Sequence, residues 1–275
     1  MTSRTGPISI LNLLNIFIEV SNKHFFIKII YIKIIYIKIK NILLFMTNKY
    51  KILLIRHGQS IWNQDSKFTG WTNIPLSKKG ISEAYKIGES LVKNKLFPNI
   101  FFTSVLDRSI DTGTIIKNSF NKDLPLHTSW RLNEKHYGTL EGVPRKYIRD
   151  MYGEKFTKMM RANYNMRPPI LKNHGFRNEF MTYKNCYYEE IKDGESKENV
   201  LNRLLPYYQN DILYTLTENK FPLIITHKHT MRVLMKYLLK LNYEEFENYE
   251  LPNNKILLIY LDEKFNYIKN DEIDY

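Results

Sequence analysis

A chain of 275 residues, 43% apolar and 25% charged, has the make-up of an ordinary globular protein with enough length for a packed core, which excludes disordered, collagen-like and disulfide-stapled designs. The single cysteine, Cys186, has no partner within the chain, so a reducing compartment is expected. A surplus of 41 basic over 28 acidic residues, formally +13, taken alone points to nucleic acid or a membrane surface.

Residues 1–45 stand apart in composition. Arg4, Lys23, Lys28, Lys33, Lys38 and Lys40 face only Glu19, and an IKIIY repeat runs from Ile27 to Lys40. The uncharged run between Arg4 and Glu19 falls short of the roughly 20 apolar residues of a membrane span. The segment also lacks the compact apolar core and small-residue cleavage site of a secretion signal. It is therefore expected to be an upstream extension or a disordered tail, with a cleaved targeting peptide as the lesser alternative, and its repeat is an aggregation hazard. A catalytic domain is expected over 46–275, with no stable membrane association and a cytoplasmic location.

YKILLIR, from Tyr50, reads as a buried strand. Ser77 then caps a helical pattern, KKGISEAYKIGESLVKN, and NIFFTSV (99–105) reads as a second strand followed by a helix carrying Arg108. The middle, about 134–195, has weak periodicity and the Pro168-Pro169 pair, and is read as an inserted lid. Residues 195–219 form one long amphipathic helical pattern, FPLIITH (221–227) a strand, 231–241 a helix and 254–263 the last strand. This alternation predicts a three-layer α/β fold, its mainly parallel central sheet covered by helices on both faces.

Ligands in such folds sit beyond the carboxyl ends of the strands. Arg56 and His57 follow the first strand, Arg108 the second, and His227 the next parallel one. Two guanidinium forks and two imidazoles suit a phosphate: one imidazole attacks phosphorus, and the other stabilises the transferring group. A carboxyl group must protonate the leaving alkoxide, and Glu134 is the candidate. Each of these residues taken singly has a blander reading as a solvated or structural side chain, so the argument is joint.

The strings LIRHGQSIWN (54–63), FTGW (68–71), SVLDRSIDT (104–112), WRLNEKHYGTLEG (130–142), Pro168-Pro169 and Gly194-Glu195-Ser196 occur in order. Together they resemble the cofactor-dependent phosphoglycerate mutases of the histidine phosphatase superfamily, from about Tyr50 to the C-terminus. The resemblance implies that His57 is the phosphorylated nucleophile and Glu134 the proton donor and acceptor, with Arg56, Arg108 and His227 forming the phosphate pocket. It implies that Asn63, Thr69, Gly70, Tyr137, Arg145 and Arg161 contact substrate. The reaction implied is exchange of 3-phosphoglycerate with 2-phosphoglycerate, primed by 2,3-bisphosphoglycerate, by a homodimer or homotetramer acting on small phosphorylated three-carbon acids. No metal is implied, and HExxH and CxxC patterns are missing from the sequence.

Three departures from the family pattern touch the site. His227 is followed by Lys228 and His229 where the family has Gly-Asn. Arg161 is followed by Ala162 where the family has a second arginine, and Arg167 is the candidate to compensate. The family's tail closes over the phosphohistidine, whereas NDEIDY follows soon after the last predicted strand, so water is expected to reach the site. A phosphohistidine-forming phosphatase on small phosphate esters and a catalytically weak binding protein are the alternatives. A nucleic-acid binder rests on net charge alone, and RRM, KH and zinc-finger patterns are missing.

Overall fold

The register between two short apolar strands decides where the site lies. The computed structural model describes Lys33 and residues 49–120, 122–171 and 194–275. Apart from Lys33, the leader expectation for 1–45 lies outside the described residues, as do Cys186 and residues 172–193 of the expected lid. Residues Tyr50–Tyr275 form one unit.

Strands β1 (Tyr50–Arg56), β2 (Ile100–Thr103), β3 (Leu126–Thr128), β4 (Pro222–Thr226), β5 (Lys255–Leu261) and β6 (Tyr267–Asp274) make one sheet in the order β3-β2-β4-β1-β5-β6. The pairings β3-β2, β2-β4 and β4-β1 are parallel, whereas β1-β5 and β5-β6 are antiparallel. The expected mainly parallel sheet is therefore present, with an antiparallel edge. The α-helices among the described residues are α1 (Ile61–Gln64), α2 (Lys78–Lys93), α3 (Asp107–Asn118), α4 (Arg145–Ala162), α5 (Lys197–Tyr207), α6 (Leu213–Thr217), α7 (Lys228–Leu239) and α8 (Tyr243–Asn248), with short 3-10 turns at Trp130–Leu132 and Gly138–Leu140.

Alternation along the strands sorts the core into two layers, because successive side chains point to opposite faces. Leu53, Ile55, Phe101, Leu223 and Ile225 pack against Ile87 and Leu91 of α2 and Ile116 of α3. Ile52, Leu54, Phe102 and Ile224 pack on the other face against Val200 and Leu204 of α5, Leu234 and Leu238 of α7 and Phe246 of α8. Burial on both faces is why β1, β2 and β4 read as continuous apolar runs. The predicted Ser77 cap is in place, its hydroxyl accepting from the Gly80 N–H at 3.1 Å.

Three elements differ from the sequence reading. The long helix over 195–219 is interrupted: Pro206 lies in the last turn of α5, and a π-helical turn, Tyr208–Ile212, separates α5 from α6. Proline removes an i to i−4 hydrogen bond and crowds the preceding turn. The weakly periodic middle holds the 18-residue α4, kinked at Gly153 (φ 83°, ψ 162°), over a small cluster of Phe68, Tyr137, Leu140, Val143, Ile148, Met160 and Leu171. Finally, the short segment after the last predicted strand forms β6, an edge strand on β5 whose half-exposed residues give no apolar run.

Candidate active site

β1 and β4 run parallel with Arg56 opposite Thr226, and the His57 N–H donates to the Thr226 carbonyl at 2.9 Å. That register brings His57 and His227 together, ring centroids 4.7 Å apart. His57 Nδ1 lies 2.6 Å from the Gly58 carbonyl, a contact only an N–H can make favourably. The tautomer so fixed leaves Nε2 with its lone pair. Burial first, then the charges of Arg108 and Arg56, hold His57 well below the usual imidazole range, so it is neutral at pH 7 and nucleophilic. His227 is fully buried, its Nε2 2.8 Å from the Ser104 hydroxyl and its Nδ1 without a hydrogen-bond partner. Gly58 is required by a close approach: a Cβ there would collide with the Gly80 carbonyl at the start of α2.

Every other residue to which the resemblance assigns a catalytic or substrate-binding role lines one cavity of about 110 Å³, joined by Lys228 and His229. His227 does not line it but backs His57. Arg108, 1% exposed, is aimed by donating to the carbonyls of Thr72 (2.9 Å) and Gly70 (2.7 Å). Burial lowers its pKa to about 10, so it stays charged. Arg56 donates to Asn63 Oδ1 at 3.3 Å, and the same oxygen accepts the Ser60 N–H in the capping box of α1. Asn63 thus ties the strand-end guanidinium to a helix start. Arg145 and Arg161 reach the cavity from the two ends of α4, and the Nε atoms of Arg56 and Arg145 are buried without partners. Gly70 (φ 54°) carries the turn, and a Cβ there would strike the Glu141 carboxylate.

Glu134 Oε1 accepts from the Lys135 N–H (2.8 Å) and from the His229 N–H (3.2 Å) in the first turn of α7. Burial outweighs these bonds and raises its pKa, which suits a group that must both give and take a proton. Tyr137 OH lies 2.8 Å from His229 Nε2, and burial pushes its pKa up, so the phenol stays protonated. His229 is buried. Arg167 is exposed and does not line the cavity, so the compensation expected of it is not provided. Tyr275 lines a neighbouring cavity of about 260 Å³ together with Arg56 and His57.

Sequence reasoning missed the scaffold beneath Glu134. Arg203 and Glu195, 7% and 1% exposed, form a bidentate pair (2.7 and 3.0 Å), and Arg203 also donates to the carbonyls of Arg131 (2.8 Å), Asn133 (3.0 Å) and Glu134 (2.9 Å). The signal was present: Arg203 shares the apolar face of α5 with Val200 and Leu204, where a charge needs a buried partner. Glu141 was also missed. It accepts from the Trp71 and Thr72 N–H groups (2.9 Å each) and the Thr72 hydroxyl (2.7 Å), folding the FTGW loop over the cavity.

His57, His227 and His229 all have pKa values held well below that of an exposed imidazole, burial being the main cause in each. The unfolded chain gains protons on them near pH 6.5 and the folded chain does not. Stability is therefore kept above about pH 6.5 and lost as pH falls below it, by up to about 1.4 kcal/mol per pH unit for each group, with Glu134 acting in the opposite direction. The thermal midpoint should fall between pH 7.5 and 5.5; a constant or rising midpoint would contradict these burial assignments.

Among the described residues no helix is long and apolar enough to cross a membrane, and no group of three or more His, Cys, Asp or Glu side chains is placed to hold a metal. Residues 52–271 match the family model of the histidine phosphatase superfamily (branch 1). The chain is similar to the 2,3-bisphosphoglycerate-dependent phosphoglycerate mutase of Blochmanniella pennsylvanica (strain BPEN), 36% identical over 226 residues, covering 80% of this chain and 97% of the relative. Its fold is similar to that of Bacillus stearothermophilus YhfR (TM-score 0.61, 22% identity, 80% of this chain and 94% of that one). A mycobacterial glucosyl-3-phosphoglycerate phosphatase complexed with VO3 is alike in fold to a similar degree (TM-score 0.60, 22% identity, 81% and 98%). With its paired buried histidines at the ends of parallel strands and the family model matched along most of its length, the chain belongs to the histidine phosphatase superfamily, branch 1.

Proposed function

We propose that this protein interconverts 3-phosphoglycerate and 2-phosphoglycerate by passing a phosphoryl group through Nε2 of His57. The observation that carries the reading is the 36% identity to a mutase along nearly that relative's whole length. The geometry supports it with a neutral, tautomer-fixed His57, a cavity lined by arginines and a carboxyl group with a raised pKa. When bound, 2,3-bisphosphoglycerate supplies the phosphoryl group that loads His57, and the buried, unpartnered Nε donors of Arg56 and Arg145 fit an anion of that kind. The lone pair of His57 Nε2 attacks phosphorus, the P–O bond breaks, and Glu134 gives its proton to the departing alkoxide. With 3-phosphoglycerate bound, Glu134 takes the proton of its C2 hydroxyl as that oxygen attacks the phosphorus on His57, and His57 leaves neutral; the first step repeated at the C3 phosphate then reloads His57 and releases 2-phosphoglycerate. Arg56 and Arg108 hold the equatorial oxygens throughout, and the positive end of α7 adds to the field.

In this reading residues 46–275 are the catalytic unit, and its partners are small phosphorylated three-carbon acids. Hydrolysis is the second reading, favoured by the cavity of about 260 Å³ that leads from Arg56 and His57 past Lys79 to Tyr275 and gives water a way in. The two separate in one assay of the full chain with 3-phosphoglycerate, with and without 2,3-bisphosphoglycerate. Stimulated formation of 2-phosphoglycerate with little free phosphate is expected. Predominant phosphate release would replace the mutase by the phosphatase.

A further inference from the structure

Lys228 is the first residue of α7 and half-buried, and it lines all three cavities around the site: the reaction cavity, the one reaching Tyr275, and a third of about 340 Å³ beyond it. The charges nearest to it are mostly of its own sign, Arg161, Arg56 and Arg232, with the exposed Glu250 the acidic exception. Among the described residues it forms no ion pair. Two further buried nitrogens on residues lining the third cavity have no hydrogen-bond partner: Nε of Arg232, 7% exposed, and Nδ1 of His229, 5% exposed. Opposite them Ala162 contributes no charge, and the carboxylates that line this cavity, Glu247 and Glu250, are both exposed.

An unpaired ammonium on a cavity lined also by Arg161 and by Arg232, whose Nε–H has no partner, leaves this lining cationic and short of acceptors. We propose that Lys228 anchors a second anion subsite, which grips the carboxylate or second phosphate of the substrate, away from the phosphoryl group held at His57. Lys228 then supplies, from the start of α7, the charge that Ala162 does not supply from the end of α4. The subsite relies on the proposed reaction only for the identity of that substrate.

Calorimetric binding to the full chain tests it with two phosphate monoesters, 3-phosphoglycerate and glycerol 3-phosphate, which differ in the carboxylate. The unsubstituted protein should bind 3-phosphoglycerate at least about tenfold more tightly, the scale of one charge-assisted hydrogen bond. Lys228→Ala should erase that preference while changing the affinity for glycerol 3-phosphate less than about threefold, and Lys228→Arg should restore it. Absence of the preference in the unsubstituted protein, its survival in Lys228→Ala, or an equal loss for both esters would each overturn the subsite. A protein that shows the preference but does not convert 3-phosphoglycerate would refute the proposed reaction and leave the subsite standing.

Discussion

His57→Ala is expected to leave a folded protein whose conversion of 3-phosphoglycerate is reduced by roughly 10⁴- to 10⁶-fold, the scale set by removing the nucleophile of a covalent mechanism. The fold should survive because His57 contributes a single side-chain hydrogen bond, to the Gly58 carbonyl, while the β1-β4 ladder around it is main chain. Glu134→Gln keeps the shape of the side chain and its ability to accept from the Lys135 and His229 N–H groups, but it cannot exchange a proton. Its loss should be smaller, about 10² to 10⁴ in kcat. Circular dichroism and initial rates on both variants decide the matter; a His57→Ala protein retaining a tenth of the activity would remove the nucleophile assignment.

Arg203→Met should have the largest effect on stability. Removing one member of a buried, hydrogen-bonded pair leaves Glu195 charged and unpaired, at a cost of about 3–5 kcal/mol. The carbonyls of Arg131, Asn133 and Glu134 each lose a donor as well, Asn133 keeping the Thr230 hydroxyl at 2.6 Å. Because the Glu134 backbone is also held by the Trp71 indole N–H at 2.6 Å, the carboxyl group should shift without being released, and kcat should fall along with stability. The double variant Arg203→Met/Glu195→Met should recover part of the stability, since no charge is then left buried alone. Denaturant unfolding measures both, and a loss below about 1 kcal/mol in the single variant would show that the pair does not brace the site.

The parts of the fold legible in the sequence were those whose local chemistry has one structural meaning. The runs in β1, β2 and β4 are apolar on both faces because both faces are covered, and Ser77 caps α2 through its own hydroxyl. The site was legible for a related reason: parallel strands share a carboxyl end, so Arg56, His57, Arg108 and His227 had to meet. The strand β6 escaped because an edge strand is half-solvated, and the break after α5 because the amphipathic pattern continues through Pro206 while the backbone hydrogen bonding does not. Glu141 escaped because its partners lie far off in the chain and are mostly main-chain groups, which carry no sequence signature, whereas the Arg203–Glu195 pair left only the charge on the apolar face of α5 as its sign. Lys228 was legible only as a bulky departure. Its position between three cavities required the start of α7, the ends of α4 and the loop before β5 to line the same spaces.

The most direct test of the account is to load the full chain with labelled 2,3-bisphosphoglycerate, map the acid-labile phosphate, and then chase with unlabelled 3-phosphoglycerate. Label on the peptide containing His57 that passes into bisphosphoglycerate and 2-phosphoglycerate is the predicted result. Label on another residue, or a chase that delivers it only to inorganic phosphate, would contradict a mutase working through His57.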